Sequence, residues 1–395
     1  RSPVPMIASG LDRLVAEADA LRGRRYALLT HAAALTSALA PAHLALAARV
    51  RPALLLAPEH GLHGVEQDMV AVGARPDPWT GLPTASLYGT DAASLRPAPE
   101  RFAGLDLLVV DLQDIGTRYY TYVAAGVWAA ASAARAGCEV WWLDRPNPLG
   151  GVVEGNRPRP GFASYVGAFD LPVRHGLTGG EIALREARRE GWEGALRIWP
   201  VSGWEERSSW PVWRRPWLAP SPNMPDYPTA LVYPGLCLLE ATGLSEGRGT
   251  TRPFRLCGAP GVDAPRLAAA LTELRLPGLA FVPALFRPQF QKHAGELCGG
   301  VEIVIVAAEK VRPVAAGVRI LAALARELGA SFSWRQAPYE FVSERPAIDL
   351  LTGGDELRRL IETGDDPEAW IASWERDERA YREEWASLRL YGAKR

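Results

Sequence analysis

The sequence predicts an α/β protein with a Rossmann-like parallel-sheet N-terminal domain and a second, smaller α/β domain. Short apolar runs typical of buried strands occur at 26–30, 54–57, 107–111 and 140–143. Helical patterns precede or separate these runs, at 10–22, 38–50 and 128–136. Strands that alternate with helices at this spacing predict βαβ units and therefore a parallel sheet.

The length of 395 residues argues for two domains, because a single hydrophobic core stops growing at roughly 250–300 residues. A further strand at 301–307, an amphipathic helix at 314–328 and a charged helical tail at 356–389 follow residue 250. We therefore divide the chain into a Rossmann-like domain at 1–250 and a smaller α/β domain at 251–395. With no low-complexity linker between them, the two are expected to pack tightly.

Composition excludes several classes of function. The net charge of -1 argues against nucleic acid as a main partner, which requires a strongly basic face. No apolar run reaches the roughly 18 residues of a membrane span. Four widely spaced cysteines show no metal-binding spacing and are expected as buried free thiols. The chain lacks a signal-peptide core, so the compartment is open: cytoplasmic, or periplasmic or secreted after removal of a leader. The oligomeric state is also open.

The most informative segment is 58–64, Pro-Glu-His-Gly-Leu-His-Gly, directly after the predicted strand at 54–57. It brings Glu59, His60 and His63 to the carboxyl end of a strand, where open α/β sheets bind ligands. Its glycines allow close backbone approach, and Glu and His can exchange protons near neutral pH. The alternative is a tight turn in which Glu59 caps a helix and the imidazoles are solvated.

Four further polar segments are expected in the same crevice: 111–120, 144–147, 173–176 and 239–250. These segments supply carboxylates, arginines, tyrosines and amides. They contain no evident serine or cysteine nucleophile, and the chain has no Gly-x-Ser-x-Gly elbow, so an acyl-transfer hydrolase is not expected. No His-Glu-x-x-His, phosphate loop or Gly-x-Gly-x-x-Gly follows a strand, so neither a metal nor a cofactor is expected. Carboxylates beside arginines suit hydrolysis of a glycosidic bond in an anionic sugar. The tryptophan-rich stretch 199–234 is either a sugar platform or a stiff interdomain segment.

Several of these blocks occur in the order found in one family. They are Pro58-Glu59-His60-Gly61, Ser86-Leu87-Tyr88-Gly89, Asp111-Leu112-Gln113-Asp114, Asp144-Arg145-Pro146-Asn147, Val173-Arg174-His175-Gly176, Ser221-Pro222-Asn223 and Ser245-Glu246-Gly247-Arg248. From about residue 10 to its end, the chain resembles the exo-β-N-acetylmuramidases, the NamZ-like glycosidases of peptidoglycan recycling. The resemblance implies a site in the cleft between a Rossmann-like domain and a smaller domain. It implies release of N-acetylmuramic acid from the non-reducing end of peptidoglycan fragments.

The resemblance also assigns candidate roles. The family's catalytic glutamate falls on Glu59, which would act as general acid or acid/base with His60 and Asp114 assisting. The second catalytic group is open among Asp114, Glu240 and Glu246, and so is the stereochemistry. The candidate substrate-binding residues are His63, Arg118, Tyr119, Tyr122, Asp144, Asn147, Arg174, His175, Asn223, Glu240 and Arg248. Among them, Arg118, Arg174 and Arg248 would grip the lactyl carboxylate of the substrate.

Two departures from the family pattern bear on substrate preference. The chain has Leu62-His63 where the family usually has Phe and Arg, and Ala241-Thr242-Gly243 where it commonly has Gly-Thr-Asn. Two other functions stay open. One is a muropeptide-binding protein without turnover. The other is a nucleotide-dependent transferase, against which the missing glycine motif counts.

Overall fold

The computed structural model describes residues 7–67, 69, 70, 73, 75–204, 208–210, 213 and 215–392. The N-terminal sheet consists of β1 (Tyr26–Thr30), β2 (Leu54–Ala57), β3 (Thr84–Ser86), β4 (Leu107–Asp111), β5 (Glu139–Leu143) and β6 (Leu196–Trp199). Its strands are all parallel, in the order β3-β2-β1-β4-β5-β6. The order reverses between β1 and β4, and such a reversal opens a crevice beyond the carboxyl ends of the strands.

Helices cover both faces of this sheet: α1 (Gly10–Ala16), α2 (Ala42–Ala47), α3 (Tyr122–Arg135) and α4 (Gly179–Glu190). Successive strand residues enter opposite layers: Leu28 packs in the cluster with Leu11, whereas Leu29 packs in the cluster with Val127. Burial on both faces explains why the strands are continuous apolar runs rather than alternating ones. The predicted Rossmann-like α/β architecture is therefore confirmed.

The helix boundaries differ from the prediction where local chemistry decides them. The helix expected at 38–50 covers only Ala42–Ala47, beginning after Pro41. The helix expected at 128–136 begins six residues earlier, at Tyr122, because small and apolar side chains continue upstream. A capping box starts α4: Thr178 accepts a hydrogen bond from the Glu181 amide, and the Glu181 carboxylate accepts one from the Thr178 amide.

The second unit is built from α5 (Tyr227–Leu236), β7 (Leu256–Ala259), α6 (Ala264–Thr272), β8 (Leu279–Phe286), β9 (Cys298–Ile305), α7 (Pro313–Leu328), α8 (Ala347–Thr352), α9 (Glu356–Thr363) and α10 (Glu368–Trp385). Its three strands are antiparallel, in the order β7-β9-β8. The charged tail forms two helices, because Gly364 takes a left-handed conformation and Pro367 follows it.

One buried apolar cluster runs through both units, joining Val127 of α3 to Ile303 of β9 and Leu321 of α7. This continuity agrees with the expected tight packing, whereas the division at residue 250 stays a prediction. In the tryptophan-rich stretch, Trp204 and Trp213 are buried against Ile7 and Tyr391, which favours the structural alternative for these two. Positions 205–207, 211, 212 and 214 lie outside the described residues. All four cysteines are buried free thiols.

None of the helices in the described ranges combines the length and apolar character needed to cross a bilayer.

The contact between α5 and α7 depends on two glycines, and we expect Gly235→Ala to destabilise it. A methyl group at Gly235 would lie 1.9 Å from the Pro313 carbonyl oxygen and 2.8 Å from the Gly317 Cα. Because backbone cannot yield as a side chain can, the expected loss is about 2 kcal/mol of unfolding free energy. Denaturant unfolding measures it. Gly194→Ala is the control, since a methyl group there meets nothing within 4 Å; equal stability of both variants would contradict the prediction.

Candidate active site

Glu59 lies in the first turn after β2, at the carboxyl edge of the sheet. The residue is 5% exposed, and its carboxylate accepts two hydrogen bonds. One comes from the Met69 amide at 2.9 Å and the other from the Thr121 hydroxyl at 3.0 Å. Thr121 precedes α3 but does not cap it with its side chain, so its hydroxyl is available to hold Glu59. The helix-cap alternative for Glu59 is therefore not what the structure contains.

His60 fixes the loop that carries these contacts. Its backbone has a positive φ of 70°, uncommon for a residue with a side chain. Its Nδ1 lies 2.9 Å from the Glu66 carbonyl oxygen. A carbonyl can only accept, so Nδ1 carries the proton and Nε2 of the neutral ring is unprotonated. His60 thereby ties the turn to the segment that leads to Met69.

Glu59 and His60 form part of a polar pocket, here called the Glu59 pocket. Every residue of its wall is at most 8% exposed. The wall comes from both units and consists of Glu59, His60, Tyr119, Tyr120, Thr121, Tyr122, Val166, Ser221, Asn223, Met224, Tyr233, Glu240, Arg248, Phe254, Tyr339 and Glu340. Of the predicted site residues, the structure brings together Glu59, His60, Tyr119, Tyr122, Asn223, Glu240 and Arg248.

Glu240 faces this pocket from the second half of the chain. Its two carboxylate oxygens accept hydrogen bonds from Arg248 at 2.6 Å and from the Tyr339 hydroxyl at 2.6 Å. Arg248 also lies over the Phe254 ring, 5.1 Å from its centre, and its Nε is 3.4 Å from Glu246. Glu240 is therefore a buried carboxylate in an ion pair, in the same cavity as Glu59.

Tyrosines form much of the remaining wall and stay neutral. Burial raises the pKa of Tyr119 and that of Tyr122 well above the usual range. The Tyr122 hydroxyl donates to the Pro220 carbonyl at 2.8 Å, and the Asn223 amide donates to the Gln67 side chain at 3.0 Å. The pocket thus offers aromatic faces together with neutral hydrogen-bonding groups.

Glu340 is a wall residue that sequence reasoning missed. It has a positive φ of 46° in a tight turn, and its carboxylate accepts a hydrogen bond from the Tyr88 hydroxyl at 3.1 Å. Tyr88 is 252 positions away in the sequence. Nothing in the local sequence signals this position, because only the packing of the two units brings it to the pocket.

Contrary to expectation, Arg118 and Arg174 lie outside the pocket wall. Arg118 donates to the carbonyls of Asn156, Leu171 and Leu351 at 2.7–2.8 Å. Arg174 donates to the Leu149 carbonyl at 2.6 Å. Burial lowers the pKa of both guanidinium groups, that of Arg118 to about 10. Both side chains donate to buried backbone carbonyls, and neither lines the Glu59 pocket.

Asp144 and Asn147 also serve the fold rather than the pocket wall. Asp144 accepts hydrogen bonds from the hydroxyls of Thr178 and Tyr391, both at 2.6 Å, and burial raises its pKa to about 6. The Asn147 amide donates to the Leu177 carbonyl at 2.9 Å. These two residues follow β5, as predicted. Their side chains hydrogen-bond to Thr178 and Leu177, the residues that lead into α4.

Two other predicted residues lie outside the wall. His63 bonds Asp77 at 2.8 Å and packs edge-on against Trp79, with ring centres 4.4 Å apart. Glu246 accepts a hydrogen bond from Lys292 at 2.8 Å. His63 therefore belongs to a separate aromatic cluster, and Glu246 anchors the loop that presents Arg248.

Asp114 and His175 form a buried pair behind the Glu59 pocket. The Leu177 amide donates to His175 Nδ1 at 3.1 Å, so in the neutral ring Nε2 carries the proton. That nitrogen lies 3.2 Å from Asp114 Oδ2, which also accepts from the Gly116 amide at 2.7 Å. The pair lies in the wall of a second, narrow cavity and not in the wall that Glu59 shares.

The described side chains contain no group of three His, Cys, Asp or Glu residues arranged to hold a metal ion. The chemistry that the pocket residues themselves offer is proton transfer and charge stabilisation by two or more carboxylates around a neutral, aromatic cavity.

Comparisons with known proteins agree on one family. The model of exo-β-N-acetylmuramidase NamZ matches the chain through its N-terminal part at 26–228 and its C-terminal part at 231–391. The peptidoglycan β-N-acetylmuramidase NamZ of Bacillus subtilis (strain 168) is 35% identical over 376 residues, which cover 94% of this chain and 88% of that protein.

Two solved structures share the fold of this chain. A DUF1343 family protein of Bacteroides fragilis superposes with a TM-score of 0.84 at 30% identity, covering 98% of this chain and 99% of that one. A second DUF1343 protein of the same organism, 24% identical, has the same fold, with a TM-score of 0.73 and coverage of 99% and 100%. The chain therefore belongs to the NamZ family of exo-β-N-acetylmuramidases, a family of glycoside hydrolases.

Proposed function

We propose that this protein removes N-acetylmuramic acid from the non-reducing end of peptidoglycan fragments, with Glu59 and Glu240 as its two catalytic carboxylates. The observation that carries the proposal is that these two glutamates, from different halves of the chain, line one buried pocket. Most glycosidases use a pair of carboxylates that flank the scissile bond.

The surroundings of the two carboxylates divide their roles. The hydrogen bonds that Glu59 accepts from described residues come from an amide and a hydroxyl, both neutral. Glu240 is paired with the Arg248 guanidinium. Glu240, held by the Arg248 guanidinium, is therefore assigned as the negative charge of the site, and Glu59, with its neutral partners, as the proton donor. Glu59 then protonates the leaving glycosidic oxygen, while Glu240 supports the positive charge that develops on the sugar ring.

The shape of the pocket supports an exo mode of action. Its wall residues are all buried, which suits a terminal sugar rather than a chain that runs through the site. The tyrosine faces offer apolar surface to the C–H faces of the sugar. Among the three arginines expected to contact the lactyl group, Arg248 lies in the wall. We propose that it attracts the lactyl carboxylate while it holds Glu240.

Activity is tested with a chromogenic β-N-acetylmuramide and the matching β-N-acetylglucosaminide, which lacks the lactyl group. We expect release from the muramide to exceed that from the glucosaminide by at least ~10-fold in kcat/KM, as lost charge-assisted hydrogen bonds predict. A reducing-end-labelled oligosaccharide should lose only its terminal sugar. No release from the muramide over a broad pH range would reject the proposed function.

A further inference from the structure

A narrow second cavity lies behind the Glu59 pocket, and Tyr120 belongs to the walls of both. Four polar atoms of its wall residues are buried without a well-formed hydrogen bond to any described residue: Asp114 Oδ1, Thr117 Oγ1, Arg118 Nε and Tyr120 Oη. The four residues are each at most 7% exposed. Buried polar atoms in proteins are almost always satisfied, so such a cluster around one cavity requires a partner.

The rest of each charged side chain is fixed. Asp114 Oδ2 is held by the Gly116 amide and by His175. The two terminal nitrogens of Arg118 donate to backbone carbonyls. Neither side chain can rotate to meet the other without breaking these contacts. Asp114 Oδ1 and the Nε–H of Arg118, on two residues that line the second cavity, therefore have no hydrogen-bond partner among the described residues.

We propose that one enclosed water molecule occupies this cavity and orients the Tyr120 hydroxyl as a hydrogen-bond donor into the Glu59 pocket. A water molecule donates twice and accepts twice. It accepts from Arg118 Nε–H, which can only donate, and from the Thr117 hydroxyl. It donates to Asp114 Oδ1, which can only accept, and to the Tyr120 oxygen. All four atoms are then satisfied, as is usual for a buried water with two to four polar partners.

The bound water determines the direction in which the Tyr120 hydroxyl donates its proton. With its oxygen already accepting from the water, its proton is left for an oxygen of the sugar. Burial raises the pKa of Tyr120, and the contacts with the hydroxyls of Ser221 and Tyr122 oppose this only in part, so the phenol stays a neutral donor. Asp114 and Thr117 are thus positioning residues that act through Tyr120, which differs from the direct catalytic role considered for Asp114. The effect on turnover rests on the proposed glycosidase function, whereas the water site does not.

Thr117→Val tests the inference, because Thr117 lies outside the wall of the Glu59 pocket. Without its hydroxyl, the water has an open acceptor position that the Tyr120 O–H fills, which withdraws the proton from the sugar. We expect kcat/KM for the muramide to fall about 10-fold, the value of one hydrogen bond, in both Thr117→Val and Tyr120→Phe. The double variant should match Tyr120→Phe within about 2-fold. Tyr26→Phe is the control: its hydroxyl bonds the Val50 carbonyl in the opposite layer of the sheet, and its activity should be unchanged.

Additive losses in the double variant, or unchanged kcat/KM in Thr117→Val, would overturn the inference. A threonine with a purely structural role would lower activity independently of Tyr120. A high-resolution crystal structure of the wild-type protein provides a readout independent of activity. We expect one ordered water within hydrogen-bond distance of Asp114, Thr117, Arg118 and Tyr120, and an unoccupied cavity would overturn the proposal. If the wild type cleaves no muramide, the proposed function fails while the crystal structure still decides the water site.

Discussion

Glu59→Gln is expected to lower kcat on the chromogenic muramide by at least ~100-fold, the contribution typical of a general acid. Glutamine keeps the shape of the side chain and an oxygen that accepts the Met69 or Thr121 hydrogen bond. It cannot protonate the leaving oxygen. Steady-state kinetics over a pH range measures the loss, and thermal unfolding verifies that the variant is folded.

The matched control is Glu186→Gln. Glu186 is also a fully buried glutamate of the N-terminal unit, but its carboxylate pairs with Arg185 and Arg189 on α4. We expect near wild-type kcat for this variant, even where stability changes. A Glu59→Gln protein that keeps more than about a tenth of wild-type kcat would remove Glu59 from the acid role, since general acid catalysis contributes 10²-fold or more.

The choice of Glu240 over the other candidate carboxylates depends on where each lies. Glu246 forms an ion pair with Lys292 beneath the loop, and Asp114 is separated from the Glu59 pocket by Tyr120, which lines both cavities. Glu340 shares the pocket and accepts a hydrogen bond from the Tyr88 hydroxyl, and Glu240 forms an ion pair with Arg248. We therefore propose that Glu340 contacts the sugar, while Glu240, held by Arg248, balances the charge at its anomeric carbon.

The sequence was sufficient to predict the Rossmann-like sheet and the place of Glu59, because both depend on local pattern. An apolar run that ends at Pro58 predicts a buried strand and a turn at the ligand-binding edge. The same reasoning expected Arg118, Asp144 and Arg174 in the crevice, whereas their side chains lie outside the wall of the Glu59 pocket. Strand spacing locates a residue at an edge, but it does not tell whether its side chain faces ligand or satisfies buried backbone.

The second half of the site was harder to predict for a different reason. Glu340 and Tyr339 lie in a short turn whose neighbours, Tyr88 and Glu240, are distant in sequence. Their position depends on how the two units pack, which periodicity and turn chemistry do not encode. The four buried polar atoms of the second cavity could not be predicted either. Each residue has an ordinary local sequence, and only the fold brings them to one cavity.

Replacing Arg118 by methionine is expected to cost about 3–5 kcal/mol of unfolding free energy, because each buried acceptor left without its donor costs about 1–3 kcal/mol. Arg118 follows β4, yet it bonds the Leu351 carbonyl at the end of α8 as well as the carbonyls of Asn156 and Leu171. Burial lowers its pKa only to about 10, so it is a cation at neutral pH. Methionine fills similar space but leaves three carbonyls without these donors.

Denaturant unfolding of Arg118→Met and Arg159→Met separates this effect from loss of a surface charge. Arg159 joins the same two parts of the chain through exposed ion pairs with Asp355 and Glu356, and exposed pairs contribute little. We expect Arg159→Met to unfold close to wild type. Equal unfolding midpoints for the two variants would show that Arg118 does not clamp the units together. Because α8 follows the turn that carries Glu340, loss of the clamp should also raise KM for the muramide.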